Sequence, residues 1–137
     1  IREPADWDAI RPLDPTRGTL GEHLDALERI AAEAQGDVDW LMTVFNPLSI
    51  AADLVNDDAL FVAHLREHGD RVHEALRAIA ETYAGFVREC VARGASGIFF
   101  ATTDYANDTR IDRATMREFA RPYDLRVLAE AAALPAP

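Results

Sequence analysis

Apolar positions along this chain follow helical spacing over most of its length and condense into two short dense runs. Leu20, Leu24, Leu27, Ala31 and Ala34 recur every three or four positions and are followed by Gly36, which predicts an amphipathic helix closed by a glycine. Thr19 and Glu22 form a Thr-x-x-Glu capping box, so this helix is expected to start at Thr19. Upstream, residues 6–10 read as a helical turn and residues 11–18 as a loop rich in Pro, Gly and Asp. Residues 38–45 (VDWLMTVF) end in the first dense run and predict a strand buried on both faces. Asn46-Pro47 is a helix-start pair, an N-cap followed by a proline whose missing N–H costs nothing there, and it opens a short helix over 47–55.

Asn56-Asp57-Asp58 breaks and recaps the chain into a helix over 59–68, and Gly69-Asp70 then opens a long one. Its stripe is Val72, Leu76, Ile79, Tyr83, Phe86, Val87, Cys90 and Val91. Residues 98–101 (IFFA) are the second dense run, a short buried strand, and the polar turn Thr102-Thr103-Asp104-Tyr105 follows. Asp112 caps a last helix with Met116, Phe119, Tyr123, Val127 and Ala131 on one face. Pro122 lies inside it, which predicts a kink near Glu118.

Strands alternating with helices imply an α/β fold with parallel pairing through right-handed crossovers. Two parallel strands alone make no viable sheet, because a parallel sheet needs several strands and cover on both faces. The expected fold is therefore a partial (β/α)8 TIM barrel, about two consecutive β/α units plus extra helices, in a fold that needs ~250 residues. Residues 1–137 are read as one segment of such a barrel, and the abrupt opening on Ile1 and the ending Leu-Pro-Ala-Pro fit a piece of something larger.

Composition narrows the partners. With 14 basic against 24 acidic residues the formal charge is −10, which argues against nucleic acid and anionic membrane because both require a basic face. A small-molecule substrate is expected instead. No apolar run approaches the roughly 20 residues of a membrane span, and the first residues lack the regions of a signal peptide. Cys90 is the single cysteine, which excludes an internal disulfide and fits a reducing compartment, so cytoplasm is the expected address.

In α/β barrels the working residues sit at the carboxyl ends of the strands. That rule selects Asn46 and Ser49 after the first strand and Thr102, Thr103 and Asp104 after the second. Helix capping, for Asn46 as for Asp112, and ordinary loop solvation compete with a binding role at each. His64 and His68 share a helix face at a zinc-like spacing, but no third ligand accompanies them. They are expected to be exposed helix histidines, and no metal site is expected. Cys90, on the apolar stripe, is expected to be a buried inert thiol. Catalytic residues are not identified by these patterns.

Three runs in order, residues 68–76 (HGDRVHEAL), 94–100 (GASGIFF) and 119–123 (FARPY), together with 45–49 (FNPLS), resemble the uroporphyrinogen decarboxylase family. The resemblance covers about residues 20–128. It implies the (β/α)8 barrel and a cofactor-free carboxy-lyase that removes CO2 from acetate side chains of a tetrapyrrole in porphyrin biosynthesis. The same family includes corrinoid-dependent methyltransferases that use zinc, and that activity is the alternative. A third reading is a non-catalytic α/β module that binds through unpaired strand edges. The resemblance places the main catalytic groups, and the methyltransferases' His and Cys zinc ligands, outside this segment, so the segment alone is expected to be inactive. Thr103 takes the place of a substrate-contacting Ser in the second strand-end loop. Asp53, six residues after Pro47, takes the place of a substrate-contacting Tyr. Asn46, Ser49, Asp53 and Thr103 are thus the expected substrate-binding residues. Family decarboxylases are often dimers, so a homodimer, or association through the missing barrel strands, is expected.

Overall fold

A computed structural model of the chain describes residues 1–34, 36–103, 105 and 107–133. A 3-10 helix, Pro4–Ala9, leads into α1 (Gly18–Ala34), β1 (Leu41–Phe45), α2 (Pro47–Val55), α3 (Asp58–Glu67) and α4 (Gly69–Ala92). β2 (Gly97–Ala101), α5 (Arg113–Phe119) and α6 (Arg121–Ala132) complete the order.

Local chemistry sets most boundaries. Asn46, Asp57 and Asp112 each accept a backbone N–H three residues on, from Ser49, Leu60 and Thr115, and so cap α2, α3 and α5. Asn56 closes α2 in the left-handed region, at φ 55°. At the end of α4 the chain turns through Gly94, at φ 101°, where a Cβ would lie 2.7 Å from the Ala31 methyl; only glycine serves there. The start of α1 departs from expectation. Gly21 N–H bonds the Arg17 carbonyl at 3.2 Å, so the helix opens at Gly18 and Thr19 lies inside its first turn. The Thr19–Glu22 capping box is thereby displaced from the cap position. Just ahead of it, Asp14 accepts from both the N–H and the hydroxyl of Thr16 and shapes the entry to the helix.

The expected kinked helix is two helices. α5 ends at Phe119, Ala120 forms a turn at φ −104° and ψ −57°, and α6 starts at Arg121 with Pro122 in its first turn. An interior Pro122 would clash with the Glu118 carbonyl one turn back; in a first turn its missing N–H has no helical partner to lose. Breaking the helix at Ala120 resolves the conflict.

β1 and β2 pair directly and in parallel, with Leu41 opposite Gly97 and Phe45 opposite Ala101. Helices α2, α3 and α4 form the connection between them. β1 is shorter than the expected 38–45, β2 starts one residue before the expected 98–101, and burial of β1 on both faces is not found. Met42, Val44, Ile98 and Phe100 lie on one face and pack into the core, which continues through Leu76, Phe86 and Val87 of α4 and Leu48 of α2. The opposite face carries Leu41, Thr43, Phe45 and Phe99, all exposed, with Phe99 at 59%. The apolar runs of both strands therefore satisfy the core on one side only.

α4 packs against α6, α2 and the 3-10 helix and touches both strands. Trp7 of the 3-10 helix is fully buried beside Phe61, ring centroids 6.2 Å apart. Cys90 is buried as expected, and desolvation pushes its thiol up to about 12. It is a packing residue. Among the described residues no helix is long and apolar enough to cross a membrane.

Candidate active site at the strand ends

The carboxyl ends of both strands meet at one edge of the sheet, where Asn46 N–H bonds the Ala101 carbonyl at 2.9 Å. Asn46 is 3% exposed and Ser49 is 2% exposed, both in the first turn of α2 or at its cap. Polar groups that deeply buried must be paired, and they are. Asn46 Oδ1 accepts the Ser49 N–H at 3.0 Å. Ser49 Oγ accepts the Thr103 N–H at 3.3 Å and the Thr103 hydroxyl at 2.7 Å. Capping and site geometry are therefore the same interaction at Asn46: the cap that starts α2 also sets where Ser49 stands.

Beside Thr103 a cleft of about 310 Å³ opens, walled by Asp53, Asp57, Asp58, Thr103, Tyr105 and Arg110. Tyr105 is buried; its hydroxyl donates to Asp58 Oδ1 at 2.6 Å, and Arg110 Nη1 lies 2.5 Å from the same oxygen. The Arg110 guanidinium carbon also lies 5.4 Å from the centre of the Tyr105 ring. Desolvation, and then the Asp58 carboxylate, push the Tyr105 phenol up to about 12, so it remains a neutral hydrogen-bond donor. Asp53 is exposed on the wall of this cleft. The structure thus brings Asn46, Ser49 and Thr103 into one bonded chain and puts Asp53 on the wall of the cleft that Thr103 also lines. Thr102 is exposed at the same edge, and Asp104 lies outside the described residues.

Three participants are not apparent from sequence pattern. Tyr105 and Arg110 read as loop, and their pairing with Asp58 depends on how that loop folds back over α3. Asp124, on the first turn of α6, holds the Asn46 side-chain amide with its carboxylate oxygens at 3.3 and 3.5 Å. Burial raises the Asp124 carboxyl to about 6, and the hydrogen bond from Asn46 partly offsets that rise. Its one sequence signal is its position next to the FARPY run.

The histidines differ from expectation. His64 is buried, not exposed: its Nδ1 accepts the Trp7 indole N–H at 3.1 Å, and the His68 ring crosses its edge at 5.9 Å. Desolvation and then His68 lower its pKa, and the indole bond requires the neutral ring with its proton on Nε2. His73 stacks on Phe119, ring planes 6° apart and centroids at 4.3 Å, and its Nδ1 lies 2.7 Å from the Tyr123 hydroxyl. The HGDRVHEAL and FARPY runs are therefore two halves of one joint, with Gly69 small enough for Phe119 to approach it. A larger cleft of about 630 Å³, between the 3-10 helix and α4, is lined by no residue from the strand ends. Among the described residues no group of three or more His, Cys, Asp or Glu side chains is placed to hold a metal ion.

The chain matches the family described as Uroporphyrinogen decarboxylase (URO-D) over residues 1–136. Comparison with curated proteins gives no match.

Proposed function

The chain belongs to the uroporphyrinogen decarboxylase family, and from that premise we propose that it forms part of a (β/α)8 barrel acting as a carboxy-lyase on tetrapyrrole acetate side chains. The observation that carries this reading is the half-covered sheet. In a barrel each strand packs one row of side chains on the helices and turns the alternate row to the barrel interior. Met42, Val44, Ile98 and Phe100 are the first row here, and Leu41, Thr43, Phe45 and Phe99 are the second. The polar chain Asn46–Ser49–Thr103 then stands at the mouth, where barrel enzymes bind substrate. In this reading Thr103 and Asp53 face substrate, Ser49 and Asn46 fix Thr103, and a charged group outside residues 1–137 stabilises the protonated pyrrole before CO2 leaves. No cofactor is required for that chemistry. The remaining strands come from further chain or from association with a second copy.

The acidic wall favours a second reading within the family. Asp53, Asp57 and Asp58 line the cleft; Arg110 offsets Asp58, and Asp53 and Asp57 each repel a polycarboxylate substrate by about 1 kcal/mol at 4 Å in water, more in a drier site. Methyl transfer to an uncharged acceptor avoids that repulsion. The described residues do not fit the zinc that such an activity uses, so its ligands would stand elsewhere and no step is assigned to residues here.

Assaying the native protein that carries this segment separates the readings. We expect CO2 release from uroporphyrinogen, with Thr103→Ala and Ser49→Ala each lowering kcat/KM about tenfold, the loss of one hydrogen bond in the transition state. Methyl transfer from methylcobalamin to a thiol without CO2 release supports the second reading. Neither activity, with both cofactors and substrates supplied, leaves the interaction module.

A further inference from the structure

We propose that Asp124 is a positioning residue for the strand-end site: its carboxylate fixes the Asn46 amide, and through Ser49 it sets where Thr103 stands. The inference rests on the reading of the strand ends as the working site, and it adds a residue from a different helix to that site.

The geometry is a continuous chain of four side chains from three parts of the fold. Asp124 accepts from Asn46 Nδ2, Asn46 Oδ1 accepts from the Ser49 N–H, and Ser49 Oγ takes both the N–H and the hydroxyl of Thr103. An amide has two ends, and only one orientation serves here. If Asn46 were turned over, its NH2 would face the Ser49 N–H, donor against donor, and the cap of α2 would be lost. An ionised carboxylate accepts only, so Asp124 rewards the working orientation and no other. Ser49 is held by two consequences of that choice: its N–H by Asn46 Oδ1, and its Cα by the start of α2.

Asp124 reaches Asn46 because of the break between α5 and α6. Ala120 caps α6, its carbonyl accepting the Asp124 N–H at 3.0 Å, and Pro122 fixes the turn between them. Burial costs the carboxylate its solvation, and among the described residues the Asn46 side chain compensates it. On the packed helices Arg88 of α4 pairs with Glu130 of α6, Arg77 of α4 pairs with Glu74, and His73 Nε2 of α4 lies 3.6 Å from Glu118 Oε1 of α5. A hydrophobic residue would fill the position with less penalty if packing alone were its purpose.

The test uses the native protein that carries residues 1–137, isotope-labelled, and amide resonances between pH 4 and 8. We expect the Asn46 side-chain amide and the Ser49 and Thr103 backbone amides to titrate together with a shared midpoint near 6. Asp124→Asn should abolish that shared titration and leave the rest of the spectrum in place. Asp124→Ala should increase Thr103 amide exchange about tenfold, the loss of one hydrogen bond to a charged acceptor in the chain. Should Asp124→Ala fail to fold, the comparison of wild type with Asp124→Asn decides alone. Ser49 and Thr103 amides that stay fixed through the titration, or that titrate unchanged in Asp124→Asn, overturn the proposal. None of these readouts depends on turnover, so loss of the decarboxylase reading leaves them interpretable: Asp124 would still position Thr103, for a different substrate.

Discussion

His64 shows how one buried side chain acquires a consequence that its spacing did not suggest. Its Nδ1 is occupied as an acceptor for Trp7, so protonating that nitrogen breaks the bond and puts a charge in the core. The folded-state pKa is lowered by desolvation and by His68, with Asp6 and Glu67 opposing. The unfolded chain therefore takes up a proton more readily than the folded one, and His64's contribution is present above its ordinary value of 6.5 and lost as pH falls below it. Thermal unfolding followed by circular dichroism should show wild type losing stability relative to His64→Gln between pH 7 and 5. A constant difference between the two across that range would show that His64 does not titrate there. Asn46 teaches a related point. Its capping role was legible from Asn-Pro, whereas its hold on Asp124, 78 positions away, was not, because hydrogen bonds across helices leave no local pattern.

At the scale of elements, the division of the last helix is the main departure from periodicity. Met116, Phe119, Tyr123 and Val127 keep a helical stripe across the break, so apolar spacing alone reads as one helix. The break at Ala120 lets Phe119 stack on His73 and turns Asp124 toward Asn46. Because Pro122 occupies a first turn, Pro122→Ala should change stability by less than about 1 kcal/mol, measured by denaturant unfolding. A proline strained inside a continuous helix would instead give a gain of about 3 kcal/mol on removal, and that result would contradict the two-helix arrangement. The strands show the converse limit. Dense runs such as Ile98-Phe99-Phe100 identify a strand, but they cannot say whether one face or two will find cover within the chain.

For the whole molecule, the consequence is an apolar sheet face that the described residues leave exposed. Leu41, Phe45 and Phe99 are 56%, 45% and 59% exposed, on a chain whose other large apolar side chains mostly enter the core. Contiguous exposed apolar surface of this kind marks a surface built to be covered. The isolated 137-residue chain should therefore bind a hydrophobic dye, and Phe99→Ser should reduce that binding with little loss of stability. If Phe99→Ser instead costs the roughly 3–5 kcal/mol of a truncated core aromatic, the face is buried in solution. The same chain should show no decarboxylase turnover, and turnover by it alone would contradict the part-barrel reading. Family membership, the caps of α2, α3 and α5, the strands and their parallel sense were available from sequence, because each rests on local spacing or on short runs whose chemistry is self-contained. Tertiary structure alone decided that one sheet face stays bare, that His64 is buried under Trp7, and that Asp124 anchors the strand-end chain. Each of these depends on which distant surfaces meet, and burial and hydrogen-bond partners are properties of that meeting rather than of any residue by itself.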